Sequence, residues 1–263
     1  DQEQVDKALE VIEEVDTLEW IVYLDSRGLS DYDDPRLISL DEAIARGAAL
    51  RATDPDLLER VDAQKTPDDL ITLIYTSGTT GPPKGAMLSA DNIAYGTDVF
   101  AEDDGMFGST GLTDDDVVVS YLPLSHVLER SVTTWGGLRN ATIVHFAESI
   151  ETVVSDLGEV QPTVLAAVPR IWEKIQATVA IRMANATPLK RFVYGISDRL
   201  GRKAAKARLA AGGAHTASSR ILTFIAWMLA GRKLRRHLGL AKVRMAISGA
   251  APISVDVLES FLG

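Results

Sequence analysis

Apolar positions along this chain keep two alternating rhythms as far as residue 174 and a single rhythm for most of the remainder. Val5, Leu9, Ile12 and Val15 recur among acids at helical spacing, which predicts a helix over residues 5 to 15. Trp20 to Leu24 is a run of buried-strand length, and Leu37 to Leu40 is another. Asp25 to Asp34 reads as a polar loop, Leu40-Asp41-Glu42 opens a helix through Ala49, and Ala52 to Asp69, with its Pro and Asp clusters, reads as a connector. Leu70 to Tyr75 then predicts a strand, and a second apolar run after Lys84-Gly85 predicts a return strand up to Leu88.

Further along, Ser89-Ala90-Asp91-Asn92 caps a helix over Ile93 to Phe100, and Glu102 to Asp116 reads as an exposed acidic loop. Val117 to Leu122 is a continuous apolar strand of the kind covered on both faces. Thr142 to Phe146 (strand), Ile150 to Leu157 (helix) and Thr163 to Val168 (strand) follow. Strand-helix-strand repetition implies an α/β fold with mostly parallel sheets, right-handed crossovers and helices layered on them. From Ile175 to Leu240 the strand signals stop. Two helices replace them, separated by Gly212 to Ser219, the first capped at Thr187-Pro188. Lys242 to Ile247 is one more strand, followed by the turn Ser248-Gly249-Ala250-Ala251 and a helix over Ser254 to Leu262.

Composition changes this picture little, but charge changes it more. A hydrophobic share of 46% with 24% charged is ordinary globular composition. With no Cys, a disulfide framework and a thiolate nucleophile are excluded, and a reducing, cytoplasmic setting is compatible. The net charge of −10 hides a partition. Between Arg170 and Arg244, seventeen Lys or Arg stand against Glu173 and Asp198 alone, a local +15 that leaves −25 for the rest. The basic face serves lipid, an anionic ligand or packing against the acidic remainder. Ile221 to Ala230 is too short to span a bilayer, and with Arg232, Lys233, Arg235 and Arg236 beside it suits an interfacial helix on an anionic membrane.

The chemistry concentrates in Thr76-Ser77-Gly78-Thr79-Thr80-Gly81-Pro82-Pro83-Lys84-Gly85. Gly78 and Gly81 can take positive φ and let backbone N–H groups converge on an anion, while Pro82 and Pro83 stiffen the return. Four hydroxyls and Lys84 add donors and a point charge suited to a polyphosphate. A Walker A loop needs Lys directly after its last glycine and a helix at once, an order this segment lacks.

This decapeptide resembles the signature loop of the adenylate-forming superfamily: acyl-CoA synthetases, luciferases and peptide-synthetase adenylation domains. Pro123-Leu124-Ser125-His126-Val127-Leu128-Glu129-Arg130 and Pro169-Arg170-Ile171-Trp172-Glu173-Lys174 resemble its long-chain fatty acid–CoA ligase branch. The resemblance implies the large N-terminal domain of such a ligase, with residues 1–65 ending a first α/β subdomain and 66–174 forming the phosphate-loop and acyl-site region. Residues 175–240 form a basic helical insert, and 241–263 begin the adenine-pocket region. It implies ATP, Mg2+ and CoA, a long-chain fatty acid as substrate, and no nucleic-acid partner.

By the same resemblance Thr76 helps hold Mg2+, Ser77 to Gly81 grip the phosphates, and Lys84 neutralises the departing pyrophosphate or steadies the loop. His126 orients the carboxylate, and Ser248, Gly249, Ala250 and Ala251 line the adenine pocket. Gly136 and Gly137 either leave space for an acyl chain or let helices pack closely. The family's Tyr-Gly-x-Thr-Glu segment, its ribose-binding Asp and its small C-terminal domain with the adenylation Lys are not among these residues. The chain by itself is therefore expected to form no acyl-CoA. A peptide-synthetase type of adenylation domain and a noncatalytic binding module are the other readings.

Overall fold

Local sequence signals set most element ends in the computed structural model, which describes residues 1–76, 81–101 and 111–263. The chain divides into two units, Asp1–Thr66 and Pro67–Gly263. In the first, Asp1 caps α1 (Gln2–Val11) by accepting the Gln4 N–H at 3.1 Å. The helix stops short of the expected Val15, which is exposed. Strand β1 (Ile21–Tyr23) runs parallel to β2 (Leu37–Ser39), and Ser39 caps α2 (Leu40–Thr53) through the Glu42 N–H at 3.1 Å. Val5, Ile12, Ile21 and Leu29 form the small core. The expected connector after Ala52 contains a short helix, α3 (Leu57–Asp62), at whose start Arg60 pairs with Asp54.

The second unit opens with an antiparallel hairpin, β3 (Leu70–Thr76) and β4 (Lys84–Ser89), that leads into α4 (Ala90–Ala101). Ser89 and Asn92 cap reciprocally: the Asn92 N–H donates to the Ser89 hydroxyl at 3.3 Å, and the Ser89 N–H to the Asn92 side-chain oxygen at 3.2 Å. Next comes β5 (Val117–Ser120), then α5 (Val127–Glu129), which continues through a π-helical segment, Arg130–Trp135, into α6 (Gly136–Asn140). Strand β6 (Ile143–Phe146) pairs parallel with β5. Helix α7 (Val153–Val160) and strand β7 (Val164–Ala167) follow.

Pro169 opens α8 (Pro169–Ala184), which runs well past residue 174. The basic region comprises α9 (Pro188–Ala210) and a rod made of α10 (Ala217–Ala226), a π-helical segment Trp227–Gly231 and α11 (Arg232–His237). The rod lies against α9, where the buried Ser197 hydroxyl donates to the Ala226 carbonyl at 2.7 Å. Strand β8 (Met245–Ser248) then pairs parallel with β7, and Ser254 caps α12 (Val255–Leu262). Leu157, Leu165, Ile175 and Val153 are fully buried in the main core, which joins α7, β7 and α8. Of the cations on α9, Arg202 pairs with Asp198 and Asp256, and Lys206 with Glu259, so part of the basic surface packs on the acids of α12.

One expectation needs correction. Asp116 is not in an exposed loop: it is 2% exposed, and Leu112 is buried beside it. Of the two readings of Gly136 and Gly137, close packing has the support: a Cβ on Gly136 would lie 2.7 Å from the Ser131 carbonyl of the π-helical segment. Both glycines are buried and serve close packing.

Asp116 accepts the Thr163 hydroxyl at 2.6 Å and Arg244 Nε at 2.8 Å on one oxygen, and Arg244 Nη2 and the Thr113 N–H on the other. Its own carbonyl accepts the Ile143 N–H at 2.8 Å, and the Thr163 N–H donates to the Val117 carbonyl at 2.9 Å. Thus β5, β7 and β8 begin at one carboxylate, and β6 begins at the backbone carbonyl of the same residue. Burial would raise its pKa, but the hydrogen bonds from Arg244, Thr163 and Thr113 outweigh burial and hold the carboxyl well below the ordinary 3.8. A depressed folded pKa contributes stability above the unfolded value that is lost as pH falls through the folded one. Urea unfolding is expected to show stability dropping below pH ~4 in the natural chain and a flatter acid limb in Asp116→Asn. Arg244→Met, which strands the carboxylate, is expected to cost about 3 kcal/mol at neutral pH.

Candidate functional site

In the hairpin, Thr76 lies directly opposite Lys84, so the intervening loop is closed by a hydroxyl on one strand and an ammonium on the other. The Thr76 hydroxyl donates to the Lys84 carbonyl over 3.4 Å, and the residue is exposed. Lys84 is exposed and makes no ion pair among the described residues. Gly81 has φ of +116°, a backbone state that side chains resist, as a loop of converging N–H groups requires. Ser77, Gly78, Thr79 and Thr80 lie outside the described residues. Gly85 matters differently, because a Cβ there would press within 3.2 Å of the Tyr75 ring, which lies across the partner strand.

His126 ends the turn that leaves β5. Its N–H donates to the Pro123 carbonyl at 2.8 Å, and its Nδ1 caps α5 by accepting the Leu128 N–H at 3.2 Å. A neutral imidazole whose Nδ1 lone pair is occupied carries its proton on Nε2. The cap therefore fixes one tautomer, with Nε2–H as the donor left for a carboxylate or phosphate oxygen.

Two neighbours hold this turn from behind. Glu129 is 4% exposed, and one carboxyl oxygen accepts the Leu122 N–H at 3.0 Å and the Tyr121 N–H at 3.4 Å. The other oxygen has no hydrogen-bond partner among the described residues, and Glu129 is among the residues lining a cavity of about 20 Å³, room for roughly one water. Tyr121 donates its hydroxyl to the Ala166 carbonyl at 3.0 Å, and burial pushes the phenol up to about 12. Arg130 Nε donates to the Leu124 carbonyl of the turn, and its Nη1 reaches the Thr72 hydroxyl of β3 at 3.1 Å.

The turn Ser248-Gly249-Ala250-Ala251 follows the carboxyl end of β8. Ala250 has φ of +68°, a left-handed state costing roughly 1 kcal/mol for a residue with a side chain. Gly249 has open space where a Cβ would stand, so a planar ligand can approach the backbone there. Val117 meets Thr163 at one end of β5 and β7, and Tyr121 meets Ala166 at the other, so these strands run in the same direction. His126 and the Ser248 turn accordingly share the carboxyl edge of the parallel strands, and Arg130 ties the phosphate hairpin to that edge. Sequence reasoning missed Asp116, Glu129, Arg130 and Arg244. The Glu-Arg pair directly after His-Val-Leu was its only available signal.

A family model for AMP-binding enzymes matches residues 1–263. The chain belongs to the AMP-binding enzyme family. A long-chain-fatty-acid–CoA ligase of Rattus norvegicus is 35% identical over 208 residues, covering 78% of this chain and 30% of that protein. A putative fatty-acid–CoA ligase of Mycobacterium tuberculosis is 35% identical over 202 residues, 75% of this chain and 34% of that one. The chain thus spans about a third of the length of these AMP-binding relatives. Among solved structures, the A domain of carboxylic acid reductase from Segniliparus rugosus, in complex with AMP and a co-purified carboxylic acid, matches at TM-score 0.55. That match has 23% identity and covers 99% of this chain and 38% of the reductase chain, a likeness of fold. The α/β class expected from the strand-helix alternation is the class observed.

Proposed function

We propose that these residues carry the nucleotide- and acyl-binding part of a long-chain fatty acid–CoA ligase, acting on ATP, a fatty acid and CoA. The observation that carries the reading is the identity of about 35% to fatty-acid–CoA ligases over three quarters of the chain. In the first half-reaction a carboxylate oxygen attacks the α-phosphorus of ATP, forming acyl-adenylate and releasing pyrophosphate. In the second, the CoA thiol attacks the acyl carbon and AMP leaves. No protein nucleophile is required, so positioning and charge stabilisation carry the catalysis.

In this assignment the loop from Ser77 to Gly81 grips the phosphates and Lys84 neutralises charge on the departing pyrophosphate. His126 offers Nε2–H to the fatty-acid carboxylate, holding it in line for attack. Ser248 to Ala251 present backbone to the adenine. The exposed hydroxyl oxygen of Thr76 is the hard donor that Mg2+ accepts, and an ion held chiefly by phosphates and water needs few protein ligands. Bound there, the ion would offset phosphate charge.

Peripheral contact with an anionic membrane belongs to the same proposal and rests on the outer face of α10. Ile221, Phe224 and Met228 are about 60% exposed on the side opposite the buried Ser219 and Ala226, with Arg220 before them and Arg232 to Arg236 after. No helix among the described residues is long and apolar enough to cross a membrane.

In the complete natural polypeptide containing these residues, incubation with a long-chain fatty acid, ATP, Mg2+ and CoA is expected to yield acyl-CoA. Lys84→Met should lower kcat about 100-fold or more. Adenylation of amino acids instead would overturn the fatty-acid assignment. Flotation with anionic vesicles is expected to carry the chain upward in low salt, neutral vesicles should leave it behind, and Phe224→Glu with Met228→Glu should abolish the effect. Equal partition to both vesicle types would contradict membrane contact.

A further inference from the structure

Arg130 makes an unusual use of its charge. Among the described residues its guanidinium forms no ion pair, and its two described bonds go to neutral oxygens: the Leu124 carbonyl within the His126 turn and the Thr72 hydroxyl on β3. The turn is otherwise closed on itself. His126 caps α5, its N–H returns to Pro123, and Glu129 holds the amides of Tyr121 and Leu122. Of these bonds, the one from Arg130 to Thr72 alone leaves the turn for the phosphate hairpin.

Thr72 is well placed to transmit position. Side chains alternate along a strand, so Thr72, Ile74 and Thr76 share one face of β3, and Ile74 is buried on it. Thr76 stands opposite Lys84 at the end of that face. A shift of the Arg130 head therefore moves the register between the Thr76–Lys84 pair and the imidazole of His126. The demand on residue 130 is specific, since it must hold two acceptors from one planar head, which the single ammonium of Lys reproduces poorly.

We infer that Arg130 is a positioning residue that couples the phosphate hairpin to the His126 turn through Thr72. Its consequence for catalysis rests on the ligase reading, in which the carboxylate at His126 must meet the α-phosphorus held by the hairpin. The coupling itself does not. A displacement of about 1 Å between reacting groups is enough to cost on the order of 100-fold in rate.

Two measurements test it. The chain has four His, so a sample labelled with 15N at histidine gives four imidazoles, assignable by replacing His126 with Gln. Thr72→Val, which keeps the shape and removes the acceptor, and Arg130→Lys are both expected to shift the His126 ring nitrogens while leaving His215 and His237 in place. Thr72→Ser should restore the natural signal. In the complete polypeptide, Thr72→Val and Arg130→Lys should each lower kcat for acyl-adenylate formation by about 10- to 100-fold with the KM for ATP little changed. The double variant should be no worse than Arg130→Lys alone, because one link cannot be broken twice.

An unmoved His126 signal in folded Thr72→Val overturns the coupling, as does a double variant whose losses multiply. A lowered melting temperature with unchanged kcat in an active polypeptide overturns the role of Arg130 in positioning for catalysis. If the natural polypeptide makes no acyl-adenylate while Thr72→Val still moves His126, the ligase reading falls and the coupling stands.

Discussion

Asp116 sits where four parallel strands begin, 2% exposed and bound by Arg244, Thr163 and two backbone groups, and the rest of the larger unit is arranged by that attachment. A buried carboxylate is costly unless every lone pair is used and a cation stands beside it, and here both conditions hold. With Thr163 and Arg244 on its carboxylate and Ile143 on its carbonyl, Asp116 fixes where β6, β7 and β8 start relative to β5. The loops at the opposite, carboxyl edge then start from fixed points. In open α/β sheets that edge is where ligands bind, and both the His126 turn and the Ser248 turn emerge there.

What distinguishes this edge is how its groups are held. His126 spends Nδ1 on a helix cap and is left with a donor of one kind. Glu129 spends a buried carboxyl on two backbone amides, and Arg130 spends a cation on two neutral oxygens. None of these choices favours stability over an apolar alternative of the same shape. All of them fix the direction of a side chain, which is what the proposed reaction, having no protein nucleophile, would require.

Much of this was legible in the chain. The strand-helix alternation gave the α/β class, the Ser89-Asn92 pair gave the start of α4, and the loop from Thr76 to Gly85 pointed to the family that the AMP-binding match shows. The clamp was not legible, because Asp116 closes an acidic stretch that reads as solvated and its partner Arg244 lies 128 residues away. Pair contacts at such separation leave no local signature. Gly136 stayed ambiguous for a related reason: small residues signal close approach, but the approaching group, a carbonyl in a π-helical turn, is invisible in periodicity. The short helix α3 was hidden by the Pro and Asp residues that precede it.

The central claim is that one nucleotide contacts both the Thr76–Lys84 hairpin and the Ser248–Ala251 turn, which shares the carboxyl edge with His126. Photolabelling this chain with azido-ATP bearing the azide on adenine, and with a second ATP analogue bearing it on the γ-phosphate, separates the two ends. The account predicts adenine label in the peptide holding residues 248–251 and γ-phosphate label in the peptide holding residues 76–84, both suppressed by unlabelled ATP. Label confined to the first unit or to α9 through α11, or unaffected by ATP, would contradict it.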